Sequence, residues 1–272
     1  MAAVAPALAL ERITVTFVSP DGGRYTAVRE ATLRVQPGEF VSVVGPTGCG
    51  KSTLLNIAAG LLRPSAGKVE VLGAPLDGLN SNAGYLFQSD ALMPWRTARA
   101  NVTAGLEFRG VERSAAVARA DEWLQRVGLR GFGDRYPHQL SGGMRKRVAL
   151  AQTLILDPQI ILMDEPFSAL DIQTRQLMEN HLLELWSANR KSVLFITHDL
   201  EEAISLSDRV VVLSAGPASH PIGEFPIDLP RPRDVAEIRL TPRFVQLHDQ
   251  IWHSMKEEVL KGYAQTRNRV AG

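Results

Sequence analysis

The segment Gly-Pro-Thr-Gly-Cys-Gly-Lys-Ser at residues 45–52 constrains the fold of this chain more than any other feature. It fits the pattern G-x-x-x-x-G-K-[ST], in which glycines let backbone N–H groups surround a phosphate chain and the following helix directs its positive end at it. The apolar run EFVSVV at 39–44 predicts a buried strand before this segment, and STLLNIAAG predicts a helix after it. This order predicts an α/β fold with a phosphate site, although a glycine-rich turn can also be purely structural.

The side chains of this loop have distinct expected roles. Lys51 is expected to reach the β- and γ-phosphates of ATP, and Ser52 is expected to offer its hydroxyl to Mg²⁺, a hard cation that takes oxygen ligands. The residues expected to bind the nucleotide are Gly45, Pro46, Thr47, Gly48, Cys49, Gly50, Lys51, Ser52 and Thr53.

A second motif, IILMDEP at 160–166, combines an apolar run with two adjacent carboxylates. The run predicts a buried parallel strand, and the carboxyl ends of such strands are where open α/β sheets bind ligands. Neighbouring side chains on a strand point to opposite sides, so the two acids can have different roles. We expect Asp164 to hold Mg²⁺, directly or through water, and Glu165 to polarise the water that attacks the γ-phosphate. The alternative is that Asp-Glu-Pro only ends a strand.

With LSGGM at 140–144 between these two motifs, residues 10–215 resemble the ATP-binding cassette (ABC) ATPases. The resemblance implies a P-loop NTPase ABC ATPase fold with an antiparallel β subdomain and a helical subdomain. It also implies that LSGGM is the signature motif, which one subunit contributes to the ATP held by the other. Ser141 can cap a helix that begins near Gly142, and Gly142 and Gly143 expose backbone N–H groups at its positive end.

The same resemblance assigns roles to single residues. Gln88, in YLFQSD, corresponds to the Q-loop glutamine that senses Mg²⁺ and water, and His198, in FITHDL, to the switch histidine that contacts the γ-phosphate. Asp171, in SALD, corresponds to the D-loop near the dimer interface. The family usually stacks an aromatic ring on adenine, for which Phe17 is the first candidate and Tyr25 the alternative; either ring could instead be sheet surface.

The chain departs from the family pattern at two positions of the signature segment. Met144 stands where the family most often has Gln, and Lys146 follows in a segment that more often reads R-Q-R. The serine and both glycines remain, so ATPase activity is expected to be intact.

Composition and charge favour an enzyme-like chain over a nucleic-acid-binding one. The chain has 272 residues, 45% of them hydrophobic, and a formal net charge of +1, whereas binding to nucleic-acid phosphates normally needs a basic face. No apolar run reaches the roughly 18–20 residues that cross a bilayer. The single cysteine, Cys49, fits a reducing compartment. Its place in the phosphate loop predicts that a thiol reagent blocks ATP binding and that ATP protects; the alternative is that Cys49 is a small filler with no role in the chemistry.

The chain is expected to divide into a nucleotide-binding domain at 1–215, with a helical subdomain at about 89–146, and a C-terminal linker and helix at 216–272. Residues 7–44 read as the antiparallel part and 50–88 as α/β. One helical face of the subdomain is predicted to carry Val117, Ala120, Trp123, Leu124 and Val127. The prolines of the linker are Pro226, Pro230 and Pro232, and the apolar face of the last helix is predicted at Phe244, Leu247, Ile251, Met255 and Val259.

The segment after Gln88 and the tail further resemble the nitrate, sulfonate and taurine branch of bacterial importer ATPases. The resemblance implies a peripheral protein on the cytoplasmic face of the inner membrane. Its expected partners are a second copy or a homologous ATPase subunit, two transmembrane permease subunits and a periplasmic solute-binding protein. Met93, Pro94 and Trp95 are expected where the family receives a short helix from the membrane subunit; the alternative is that Trp95 packs in the subdomain core. The alternatives are an exporter ATPase and a soluble ABC ATPase that is not coupled to transport.

Overall fold

The structure is a computed structural model that describes residues 5–270, with side chains described through residue 262. Ten strands and eight α-helices lie within the described residues. The strands are β1 (Leu8–Val18), β2 (Arg24–Val35), β3 (Phe40–Val44), β4 (Ala66–Val71), β5 (Ala74–Pro75), β6 (Ala83–Leu86), β7 (Ile160–Asp164), β8 (Ser192–Ile196), β9 (Arg209–Leu213) and β10 (Pro221–Pro226). The helices are α1 (Lys51–Ala58), α2 (Ala98–Phe108), α3 (Arg113–Arg126), α4 (Gly142–Leu154), α5 (Ile172–Asn189), α6 (Leu200–Leu206), α7 (Val235–Ile238) and α8 (Pro242–Val270).

The strands form two sheets with different chain directions. The first has the order β2-β1-β4-β5 and is antiparallel. The second has the order β10-β9-β3-β8-β7-β6 and is parallel except for β10. The α/β class with an antiparallel β subdomain is therefore confirmed, and the strands predicted near 39–44, 160–164, 192–197 and 209–213 all lie in the second sheet.

Two segments differ from the sequence interpretation of the chain. The strand at 39–44 belongs to the parallel sheet and not to the antiparallel part, whereas β4 and β5, predicted within an α/β segment, complete the antiparallel sheet by pairing β4 with β1. The segment at 216–272, predicted as a linker and a helix, also contains β10, which pairs with β9. Sequence periodicity does not reveal such pairings because they join residues far apart in the chain.

The core lies on both faces of the parallel sheet. Side chains alternate along β3: Val41 and Val43 pack toward α1 and the antiparallel sheet, whereas Phe40 packs on the opposite face, among residues of α4 and α5. Helices α2, α3 and α4 enclose a separate apolar cluster in the region of the predicted helical subdomain, and this cluster extends to Ile155, beyond the predicted end at about 146. In α3, Ala120, Leu124 and the following Val127 are buried as predicted; Ala116 is also buried, while Val117 and Trp123 are partly exposed.

Helix α8 covers the β9–β10 side of the sheet. The four buried side chains Phe244, Leu247, Ile251 and Met255 pack with residues of α6, β9 and β10, and Val259 is partly buried against them. The predicted apolar face therefore packs on the core of its own chain. No helix in the described part of the chain has a stretch long and apolar enough to span a membrane.

Candidate functional site

The phosphate loop joins β3 to α1, and its backbone conformation requires glycine at two positions. Gly48 has φ +77° and Gly50 has φ +94°, a region that favours glycine. A Cβ on Gly50 would also lie 2.7 Å from Cγ2 of Val28. Lys51, at the start of α1, is buried, and its Nζ donates to the carbonyl oxygens of Gly45 (2.8 Å) and Pro46 (3.1 Å). The loop is thus folded around the ammonium that is predicted to reach the phosphates.

Ser52 and Asp164 form a pair of oxygen ligands beside this loop. The Ser52 hydroxyl donates to Oδ1 of Asp164 at 3.0 Å, and Asp164 is the last residue of β7. Burial raises the pKa of Asp164, and the neighbouring Glu165 charge raises it further, against the hydrogen bond from Ser52. Such an environment favours a bound cation that compensates the carboxylate charge. Mg²⁺ binds proteins through few direct oxygen ligands, so a hydroxyl and a carboxylate at this separation fit it.

Glu165 lies between two other predicted site residues. Its backbone has φ +42°, a left-handed conformation that is uncommon for a residue with a side chain, and its N–H donates to Ile196 O at 2.9 Å. Oε2 of Glu165 lies 3.4 Å from Nε2 of Gln88 and 3.0 Å from Nδ1 of His198. An ionised carboxylate only accepts, so the second contact is a hydrogen bond when Nδ1 carries the proton. Strained backbone of this kind is concentrated at functional sites.

One cavity of about 480 Å³ is lined by most of these residues; Asp164 is not in its lining and reaches it only through its contact with Ser52. Its walls combine the phosphate loop, the three polar side chains at the strand ends and two aromatic rings. The lining residues are Phe17, Tyr25, Ala27, Thr47, Gly48, Gly50, Lys51, Ser52, Thr53, Gln88, Glu165 and His198. Phe17 and Tyr25 are cross-strand partners in β1 and β2, so the structure brings both candidate adenine contacts to the cavity.

Cys49 does not line this cavity. Its side chain has no exposed area and belongs to the main apolar cluster, and burial raises the pKa of its thiol. Any contact of Cys49 with a nucleotide is therefore through its backbone. The expectation that a thiol reagent reaches Cys49 in the folded protein is corrected accordingly: the residue is a small filler beneath the loop.

The signature segment lies outside the cavity lining. Ser141 caps α4 as predicted, since its hydroxyl accepts from Met144 N at 3.3 Å. The described residues that line the cavity do not include Ser141, Gly142 or Gly143. Gly143 also has a packing role, because a Cβ there would lie 2.7 Å from Cγ2 of Thr174 on α5.

Two residues of the site were not predicted. Ser219 is buried, and its hydroxyl donates to the carbonyl oxygens of Cys49 and Ala27, so it ties the phosphate loop to β2. Tyr85 lies beside Asp164; burial raises the pKa of its phenol, and the Asp164 charge adds to the effect. Tyr85 lies on β6, three residues before Gln88, so the sequence YLFQ that marks Gln88 also indicates Tyr85. Ser219 lies in an irregular segment without a sequence motif.

Comparisons with known proteins agree with this site. A family model described as ABC transporter matches residues 28–168. The chain is 48% identical over 255 residues to an uncharacterized ABC transporter ATP-binding protein of Methanocaldococcus jannaschii, covering 93% of each chain. It is 39% identical over 260 residues to a taurine import ATP-binding protein of Pelagibacter ubique, covering 92% of this chain and 96% of the relative.

A solved structure is also similar to the chain. It is a dimeric structure of a post-hydrolysis state of an ATP-binding cassette bound to ADP and Pi. The TM-score is 0.72 at 32% sequence identity, and the match covers 82% of this chain and 99% of that one.

Proposed function

The chain belongs to the ABC transporter family and is an ATP-binding cassette ATPase, and on this basis we propose that it powers a bacterial importer of a small solute of the nitrate, sulfonate or taurine class. The observation that carries the chemistry is the convergence of Lys51, Ser52, Gln88, Glu165 and His198 on one cavity. The importer class is supported by the similarity to a taurine import ATP-binding protein over nearly the whole chain.

In the proposed reaction, Glu165 accepts a proton from the water that attacks the γ-phosphorus, and the bond from phosphorus to the β,γ-bridging oxygen breaks to give ADP and phosphate. Lys51 exchanges its contacts with Gly45 O and Pro46 O for the phosphate oxygens. His198 orients Glu165 through Nδ1 and contacts the γ-phosphate. Ser52, Asp164 and Gln88 would hold Mg²⁺, which would supply positive charge to offset the negative charge of the phosphates.

Two copies of the chain, or one copy and a homologous subunit, are proposed to enclose ATP between them. The signature residues Ser141, Gly142 and Gly143 are absent from the described cavity walls of their own chain. The backbone N–H groups of these residues, at the positive end of α4, can bind a phosphate only when a second protomer supplies the nucleotide. The dimeric state of the similar cassette structure supports this arrangement. Asp171, which caps α5, is proposed to lie near the dimer interface.

The proposed membrane contact is the surface around Trp95. This side chain is 74% exposed, so the alternative that it packs in the subdomain core is wrong. Phe87, next to Gln88 in the chain, is also exposed. An exposed apolar surface beside Gln88 suits a permease helix, which would couple transport to the ATP site.

The experiment is to tag the chain in its host, solubilise membranes in mild detergent, and identify copurifying proteins by mass spectrometry. A multi-pass membrane protein, with or without a periplasmic binding protein, is expected. Its recovery should fall in a Trp95→Ala variant and persist in a matched Trp252→Ala variant, since Trp252 is 39% exposed on α8. Recovery of only soluble or nucleic-acid-associated proteins would overturn the importer function and leave the ATPase chemistry intact.

A further inference from the structure

Lys146, which departs from the usual signature segment, has a buried ammonium. Its side chain is only 5% exposed. Nζ donates to the carbonyl oxygen of Gln88 and lies 3.5 Å from that of Phe87 and 3.4 Å from Oδ1 of Asp90. All three acceptors belong to the segment that follows β6. One side chain of α4 therefore holds the backbone from which Gln88 projects.

The surroundings match what a buried ammonium requires. An ammonium carries three N–H donors and is costly to bury unless they are paired, and here three oxygen atoms surround it. Burial lowers the pKa of Lys146, and the Asp90 carboxylate opposes this change. Asp90 also accepts from Nε of Arg145 at 2.8 Å, so two consecutive side chains of α4 bind one carboxylate. The helix dipole disfavours a positive charge in the first turns of α4, so the oxygen atoms around Lys146 and Arg145 have to offset this cost as well.

The contacts of Lys146 lead directly to the proposed catalytic base. Gln88, whose carbonyl oxygen accepts from Lys146, places Nε2 at 3.4 Å from Oε2 of Glu165. Lys146 lies four residues after Gly142, about one helical turn along α4. The helix that begins with the signature residues is thus joined to Glu165 through two side chains, those of Lys146 and Gln88.

We infer that Lys146 is a positioning residue that fixes Gln88, and through it Glu165, to the helix that carries the signature segment. The inference rests on the proposed function in taking Glu165 as the base. A displacement of α4 when two protomers close on ATP would then displace Gln88 as well. A glutamine at position 146 is shorter, is neutral and has two N–H donors, so it holds the segment less firmly.

The first test is steady-state ATP hydrolysis by full-length Lys146→Met, which keeps an unbranched side chain one atom shorter than lysine and removes the charge and the donors. We expect kcat to fall about tenfold and KM for ATP to change less than about twofold, because Lys146 does not line the ATP cavity. Lys146→Gln should lie between wild type and Lys146→Met. The matched control is Lys191→Met: Lys191 Nζ pairs with Asp157 Oδ1 at 2.8 Å, and the residue precedes β8, at the edge of the sheet opposite the site. This variant should retain the wild-type kcat.

The deciding test is a double-mutant cycle with Gln88→Ala, which keeps the carbonyl but removes the amide. If Lys146 acts through Gln88, Lys146→Met should lower kcat little further in the Gln88→Ala background. A full, additive loss in that background would overturn the inference, as would a Lys146→Met kcat equal to that of wild type. If Lys146→Met does not fold, the cycle is run with Lys146→Gln. Glu165→Gln assayed in parallel identifies failure of the proposed function itself, because that variant would then remain active.

Discussion

Replacing Glu165 by glutamine is expected to stop hydrolysis while leaving the site assembled. Oε2 of Glu165 is the atom near both Gln88 and His198, at 3.4 and 3.0 Å. Glutamine has the same shape, and its single oxygen can accept from both neighbours, so these contacts can survive. Only the capacity to take a proton is lost. The variant therefore separates the role of Glu165 as a base from its role in holding the site together.

The size of the effect follows from that separation. General-base catalysis contributes roughly two to four decades in rate, and each decade corresponds to about 1.4 kcal/mol of activation free energy. We therefore expect kcat to fall by about 10²- to 10⁴-fold, or roughly 3–5 kcal/mol, with little change in thermal stability. ATP should still bind and should accumulate in a closed dimer. Light scattering after gel filtration in saturating ATP and Mg²⁺ should give about twice the monomer mass of 29.8 kDa.

The matched control is Glu224→Gln on the edge strand β10. Glu224 pairs with Arg209 and is about half exposed, so the same chemical change there should leave kcat within about twofold of wild type. A Glu165→Gln variant with near-normal turnover would refute the assignment of the base. A variant that is inactive but stays monomeric in saturating ATP would instead refute the closed dimer as the state that precedes hydrolysis.

Three further outcomes are expected. Cys49 should react with a thiol reagent far more slowly in the native protein than after unfolding, as mass spectrometry can measure, because its thiol is buried and its pKa is raised; equal rates would contradict its placement. Of Phe17→Ala and Tyr25→Ala, the one that removes the adenine contact should raise KM for ATP by about 2- to 12-fold, given about 0.5–1.5 kcal/mol for aromatic stacking, and the other should raise it less. Ile251→Ala should lower the free energy of unfolding in urea by about 2–5 kcal/mol, whereas Val245→Ala, at an exposed position of the same helix, should change it by under about 0.5 kcal/mol.

The parallel sheet could be predicted closely because its signals are local. Each of β3, β7, β8 and β9 is a short apolar run. A strand that is buried on both faces is apolar throughout, so it can be recognised from its own residues without knowledge of its neighbours. The cap at Ser141 was equally local, since a hydroxyl accepting an N–H three residues later needs no distant partner.

The elements that escaped prediction depend on distant partners. In β4, Lys68 is exposed, whereas Val71 is buried in the main apolar cluster, which many elements of the chain form together. The strand β10 begins and ends with proline, which indicates a linker in sequence but is tolerated in an edge strand. Ser219 is far from Cys49 in sequence, so the residues near Ser219 do not indicate their hydrogen bond.

The order of the strands gives a physical reason why the separate motifs meet. Parallel strands end at one edge of a sheet, and β3, β8, β7 and β6 are consecutive neighbours there. The residues that follow them are, in the same order, the phosphate loop, His198, Glu165 and Gln88. Glu165 therefore has His198 on one side and Gln88 on the other, as the distances of 3.0 and 3.4 Å show. A disturbance of either neighbour reaches the same carboxylate, and because Lys146 holds Gln88, the signature helix gains access to that carboxylate from the β6 side.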